Sequence, residues 1–410
     1  MARSPLTLAA TVTAALPGAN VVDVRALTEN ASGKYDSAVA SLADGNRVVV
    51  RVATDDDSSG ELDAEARALS ALTSGVRALL PFRAPVLRGS ATHNGHTALV
   101  VDFVAGYRVD AAHVPAGRGV ATSLGSAIAA VHALPESVAR AENLPQLGAS
   151  QARDDVSRLL DRMAASHRGP VSLLSRWSRA LAADRIWRFE PVLTLGGTSA
   201  DVFVFEDRHG VPTVTGLLSW QGLGVGDPAV DLRWISSAPE GAPDVFGAYV
   251  AASVRTPDAA LRIRARLYAE LEFAKWLVHG REIGDDGIVD DAEALLTSLA
   301  DSVVDDDLLA EDDLDVDDAI ALIGRVPATS ASEVDTSMQT DAYDAADTAF
   351  FVDEMTSEDV APRPDQEETA PLQLSEWVAG GSAAADDTDR GDTAEADRAA
   401  EAALRRWASS

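Results

Sequence analysis

Residues 191–235 read PVLTLGGTSADVFVFEDRHGVPTVTGLLSWQGLGVGDPAVDLRWI. A short apolar run ends on Gly196-Gly197. Two strand-like segments follow, 202–205 and 214–220, joined by turn chemistry at 207–210. Gly226-Asp227-Pro228 then breaks the chain before Asp231-Leu232. On both sides the apolar residues change period. Segments 120–134, 152–165, 173–181 and 260–278 repeat at helical spacing, so the hairpin interrupts a mainly helical region.

Upstream the pattern is that of a small antiparallel sheet with one helix. Segments 21–26, 37–42 and 47–53 read as strands, the last two joined by Ala43-Asp44-Gly45-Asn46. Leu62, Glu65, Ala66, Leu69 and Leu72 share one helical face, with Gly75 as the expected stop. Strands at 86–91 and 97–104 flank Asn94-Gly95, a dipeptide suited to a two-residue hairpin turn. Before all of this, 6–16 reads as an amphipathic helix ended by Pro17-Gly18. Thr7, Thr11 and Thr13 dilute that run too much for a signal peptide.

Charge divides the chain. Residues 1–284 hold 28 basic and 30 acidic side chains, net −2, whereas 285–410 hold 6 Arg and 35 Asp or Glu, net −29. A polyanionic segment argues against nucleic acid and anionic lipid as partners and suits solvation or an unidentified protein partner with a basic surface. Helices are expected at 291–300 and 315–323, and a disordered acidic low-complexity tail over 327–410. In that tail 349–352, 372–378 and 394–407 are the only apolar islands. Cysteine is absent, which excludes disulfides and thiolate chemistry and suits a cytoplasmic protein. No run approaches the ~20 apolar residues of a membrane span.

The block 191–235 resembles the catalytic core of the aminoglycoside/macrolide phosphotransferase family. In that family an apolar strand leads to a His-Gly-Asp loop, a metal-binding Asn, a hairpin, an Asp-Trp pair and Gly-Asp-Pro-x-x-Asp-Leu. Gly196, Val204, Trp220, Gly226-Asp227-Pro228 and Asp231-Leu232 fall where this pattern places them. Residues 48–52 are similar to its nucleotide-binding strand, 62–72 to its small-lobe helix, 100–106 to its hinge and 129–134, with His132, to the helix that follows. The resemblance implies an α+β, two-lobed protein-kinase-like fold: a sheet-based N-lobe over 1–105, a helical C-lobe over 106–326 and a tail over 327–410. It also implies nucleotide contacts from Arg51 paired with Glu65, and from Asp102 and Val104 at the hinge.

The chemical groups of that pattern are replaced. Its catalytic Asp falls on Gly197, its preceding His on Leu195, its metal-binding Asn on Val202 and its second metal-binding Asp on Ser219. Phosphoryl transfer needs a carboxylate to orient the attacking hydroxyl and oxygens to hold magnesium on the phosphates. Gly197 and Val202 supply no ligand atom, and a neutral hydroxyl at Ser219 is a poor substitute for a carboxylate. Asp201 is the nearest rescue, and strand alternation would turn it away from the face of Val202. The expectation is therefore a pseudokinase that binds or scaffolds, with no catalytic residue and no metal retained, no cofactor, and a nucleotide or other small molecule as ligand. The alternative is an active phosphotransferase using ATP and Mg²⁺ on a small hydroxylated substrate. Only two lysines exist, Lys34 and Lys275, and 28–35 is no glycine-rich loop. Asp227 and Asp231 are expected to cap and anchor a large-lobe helix. His132 is expected in the core, and the seven histidines show no metal-ligand spacing.

Overall fold

The computed structural model describes residues 3–27 and 33–310. The expected helix at 315–323 and the tail over 327–410 lie outside the described residues. The first element is α1 (Pro5–Ala15), capped by the Ser4 hydroxyl, which accepts from the Thr7 amide at 3.2 Å, with Pro5 in the first turn. Three strands follow, β1 (Val21–Ala26), β2 (Tyr35–Leu42) and β3 (Arg47–Ala53). Then come α2 (Asp56–Ala71), the single turn α3 (Ser74–Arg77), β4 (Leu87–His93) and β5 (His96–Asp102). The helix ends at Ala71, before Gly75, because the Thr73 side chain caps a new turn by accepting from the Val76 amide.

The five strands form one antiparallel sheet in the order β1-β2-β3-β5-β4. Its central strand carries Val48, Val49, Val50 and Val52, as a strand covered on both faces requires. On one face the small side chains of Ala38, Ala40 and Ala98 let α1 lie close, burying Leu8, Val12 and Ala15. On the other, α2 buries Leu62, Glu65 and Leu69. Asn94 and Gly95 both have positive φ, 52° and 88°, and close the β4–β5 hairpin in register at His93 and His96.

The second half is built on α4 (Val120–His132), α5 (Ser137–Ala141), α6 (Ala149–Ser166) and α7 (Val171–Ala182). Four short strands come next, β6 (Val192–Thr194), β7 (Phe203–Arg208), β8 (Val211–Leu217) and β9 (Gly224–Gly226), then α8 (Ala242–Ala252), α9 (Leu261–Ile283) and α10 (Asp286–Ser302). A Cβ at Gly125 would overlap the Val245 carbonyl and stand 2.7 Å from the Tyr249 nitrogen, so glycine is what lets α4 and α8 touch. The long α9 crosses the middle and is buried on several sides, with Leu267, Leu271 and Leu277 fully enclosed.

Two buried ionic knots hold these helices. Glu270 of α9 receives Arg176 of α7 through two hydrogen bonds at 2.9 and 3.0 Å, together with the Trp177 indole at 2.8 Å. Arg264, fully buried, gives two hydrogen bonds to Asp227, two to Asp258 and one to the Ile186 carbonyl. Burial works against the Arg264 charge, and the hydrogen bonds from it to Asp258 and Asp227 outweigh burial and raise its pKa. Such charges are tolerated only when their donors and acceptors are met, as here.

Candidate functional site

Antiparallel pairing of β6 with β9 sets Val192 opposite Gly226 and Thr194 opposite Gly224, bringing the two ends of the 191–235 block together. The loop Leu195–Gly197 leaves β6 here. Gly196 and Gly197 both adopt positive φ, 72° and 101°. Its position is fixed by Asp231, which is fully buried in the 3-10 helix Pro228–Ser237. Asp231 accepts the Leu195 amide at 2.6 Å and the Gly197 amide at 2.7 Å, and bonds His132 Nε2 at 3.1 Å. Asp231 thus anchors the loop itself, which corrects the expectation that it anchors a helix. Asp227 keeps that helical role, capping Ala229 at 2.9 Å and tying the 3-10 helix to Arg264 and Tyr268.

His132 is buried as expected, though as a polar link: its Nδ1 lies 2.9 Å from the Tyr249 hydroxyl. Burial, helped by the field of Asp231, pushes the Tyr249 phenol up and keeps its proton in place.

The most informative neighbour of the loop is Arg233, two residues after Asp231. A Cβ built at Gly197 would overlap its Nη1 and Cζ atoms and stand 2.8 Å from Nη2. A guanidinium therefore fills the volume that a side chain at 197 would need. It forms an ion pair with Glu272 of α9 at 3.6 Å and makes no hydrogen bond with the described residues.

The β7–β8 hairpin carries the other two positions. His209 and Gly210, at φ 54° and 76°, form a two-residue turn between Arg208 and Val211, tighter than the four residues expected at 207–210. Tyr107 pairs with Phe205 through bonds of 3.0 and 2.8 Å, and Arg83 pairs with Thr215 and Leu217, so the hairpin is flanked by chain on both edges. The Leu218 amide donates to the Val202 carbonyl at 3.0 Å, which sets Ser219 beside Val202. The Ser219 hydroxyl is 2.5 Å from Gln221 Oε1.

These residues do not fit a magnesium ion: Val202 has no donor atom, and the Ser219 hydroxyl already bonds an amide oxygen. Among the described residues no three His, Asp or Glu side chains come together in a group that could hold a metal ion. Asp201 lies in the 3-10 turn Ala200–Val202, ahead of the strand. The alternation that would turn it away from Val202 therefore does not apply, which corrects that step of the sequence reading. Asp201 is half-buried and makes no hydrogen bond or ion pair with the described residues.

On the sheet side, Arg51 of β3 and Glu65 of α2 meet at 2.5 Å, with Glu65 buried. The Arg51 guanidinium also lies over the Tyr35 ring at 5.8 Å, and the Tyr35 hydroxyl donates to Glu61. Asp102 faces elsewhere, in a fork with Arg88 across β4 and β5. Val104 is half-buried where the chain leaves β5, and a Cβ on Gly216 of β8 would overlap its Cγ1. The structure thus joins Arg51 to Glu65, while the Asp102 side chain is committed to the sheet. Arg233 and Tyr249 were not singled out in the sequence. A single arginine in a 3-10 helix carries no pattern, and Tyr249 sits on a helix with a weak apolar face.

Solved structures of low identity share this fold. Macrolide 2'-phosphotransferase MphH from Brachybacterium faecium, an apoenzyme, superposes with a TM-score of 0.59 at 23% identity, covering 72% of this chain and 98% of its own. The complex of aminoglycoside phosphotransferase APH(2")-IIIa with GDP and kanamycin gives 0.57 at 16%, covering 72% and 98%. Among curated proteins none matches the chain. No helix among the described residues is long and apolar enough to cross a membrane. The APH model, described as the phosphotransferase enzyme family, matches residues 26–269, well over half of the chain, and the protein belongs to that family.

Proposed function

We propose that this family member is a pseudokinase, a binding or scaffolding module that does not transfer phosphoryl groups. The observation that carries the reading is the Arg233 guanidinium in the volume a side chain at Gly197 would occupy. A cation there cannot accept the proton of an attacking hydroxyl, and arginine is not deprotonated in proteins. Val202 and Ser219 support the same reading, since restoring one group would leave the others missing. The Arg51–Glu65 pair supports a nucleotide as one ligand, as GDP is for the aminoglycoside relative. The acidic segment, net −29 over 285–410, suits docking to a basic protein partner.

A second reading, an active ATP- and Mg²⁺-dependent phosphotransferase on a small hydroxylated substrate, rests on Asp201, whose side chain has no partner among the described residues. Expression in a susceptible bacterium separates the two. The pseudokinase leaves aminoglycoside and macrolide sensitivity unchanged. A reproducible rise in resistance that Asp201→Asn abolishes would establish the second reading instead.

A further inference from the structure

A cavity of about 410 Å³ opens beside the Gly197 loop, between α6, α9 and the β6–β9 pair. Its wall includes the buried apolar side chains Leu159, Val225 and Leu271. Arg158, Arg162, Arg233 and Lys275 also line it. Of the two lining carboxylates, Asp227 is held in the buried knot by Arg264, which it shares with Asp258, and Asp155 pairs with Arg158 at the surface.

The four cations are not equally engaged. Arg162 pairs with Glu282 at 2.9 Å, both half-exposed, and the half-exposed Lys275 pairs with the largely buried Glu272 at 2.6 Å. Exposed pairs of this kind contribute little and exchange readily with an incoming anion. Arg233 is different. Its side chain is only 19% exposed, its one carboxylate neighbour is 3.6 Å away, and that same Glu272 already holds Lys275. Its guanidinium makes no hydrogen bond with the described residues, so its donors are open to a ligand, and its planar fork matches the two oxygens of a carboxylate or phosphate.

We propose that this cavity binds a small organic oxyanion, a phosphate monoester or carboxylate with an apolar body, whose head group pairs with Arg233 and whose body lies against Leu159 and Leu271. The proposal deepens the pseudokinase reading, on which it rests only in naming the ligand of the same loop. A ligand of this class gives Arg233 hydrogen-bond acceptors, while its apolar body gains contact with the apolar wall. A polyamine such as kanamycin meets the wrong charge here.

The test is calorimetry on the full chain without nucleotide or Mg²⁺, using phenyl phosphate, phenylacetate, phenol and kanamycin. At least one of the two anions should bind tenfold or more tighter than phenol, and whichever binds better identifies the head group as phosphate or carboxylate. Arg233→Gln should weaken that binding tenfold or more, with Arg233→Lys intermediate. Lys275→Gln, at a half-exposed side chain, provides a fold-safe variant and should weaken binding several-fold. Equal binding of phenol and both anions, anion affinity unchanged in Arg233→Gln or Lys275→Gln, or kanamycin as the tightest ligand would each overturn the proposal. Transfer of phosphate from ATP, assayed separately, would remove the pseudokinase reading and leave the anion result standing.

Discussion

Asp231 accepts the amide hydrogen of Gly197 at 2.7 Å from a fully buried position. The backbone of the loop is therefore held in place with glycine at 197. Asp231→Ala strips acceptors from the amides of Leu195 and Gly197 and a partner from His132. Leaving such groups buried and unpaired costs about 3–5 kcal/mol. Denaturant unfolding should show a loss of that size, and much less for Asp201→Asn, whose side chain has no partner among the described residues.

Restoring the carboxylate at 197 should fail structurally as well as chemically. Gly197→Asp places a side chain at φ 101°, in a volume that the flexible end of Arg233 would have to leave. A non-glycine residue in such backbone costs about 1–3 kcal/mol. The melting temperature should fall, and a phosphotransfer assay should show no activity. Pairing it with Arg233→Ala should not recover the stability, because the backbone strain at φ 101° remains, and should still give no transfer, because Val202 and Ser219 are unchanged.

Much of this architecture was legible from residue order. Asn94-Gly95 specified a hairpin because both residues tolerate positive φ, and the valines of 47–53 marked a strand. The Gly-Asp-Pro-x-x-Asp-Leu block located the loop, while the role of Asp231 as its anchor was not legible, because it depends on the fold bringing residue 231 against residues 195 and 197. Other features were not legible, for physical reasons. The helix Ala242–Ala252 lacks a charged face, begins beside Pro243 and contains Gly247, so nothing in its period announces it. The turn Ala200–Val202 looks like the start of a strand because Val202 and Phe203 have high strand propensity. The role of Arg233 depends on a fold that brings residue 233 back against residue 197.

The ionic knot around Asp306 makes acid stability measurable. Asp306 bonds Arg266 at 2.6 and 3.1 Å and Arg176 at 2.7 Å. Burial works against its charge, and these hydrogen bonds outweigh burial, so the carboxyl is held below the usual carboxylate range of about 3.8. A folded pKa below the unfolded one adds stability that is present above the unfolded value and lost as pH falls through the folded value. The melting-temperature gap between the native chain and Asp306→Asn should be full at neutral pH and close progressively below pH 3.8. A gap that stays constant to pH 3 would show that Asp306 contributes by packing rather than charge.

The most direct measurement of the central claim is ATP binding by calorimetry with and without Mg²⁺. In a catalytic site the metal bridges phosphates to protein oxygens, so each strengthens the binding of the other by the same factor. On the proposed reading, Val202 and Ser219 supply no such bridge. ATP affinity should be the same within error in the two conditions, and Val202→Asn with Ser219→Asp should introduce Mg²⁺ dependence. ATP binding several-fold tighter with Mg²⁺ in the unaltered chain would contradict the account and assign a metal site to other carboxylates, Asp201 first.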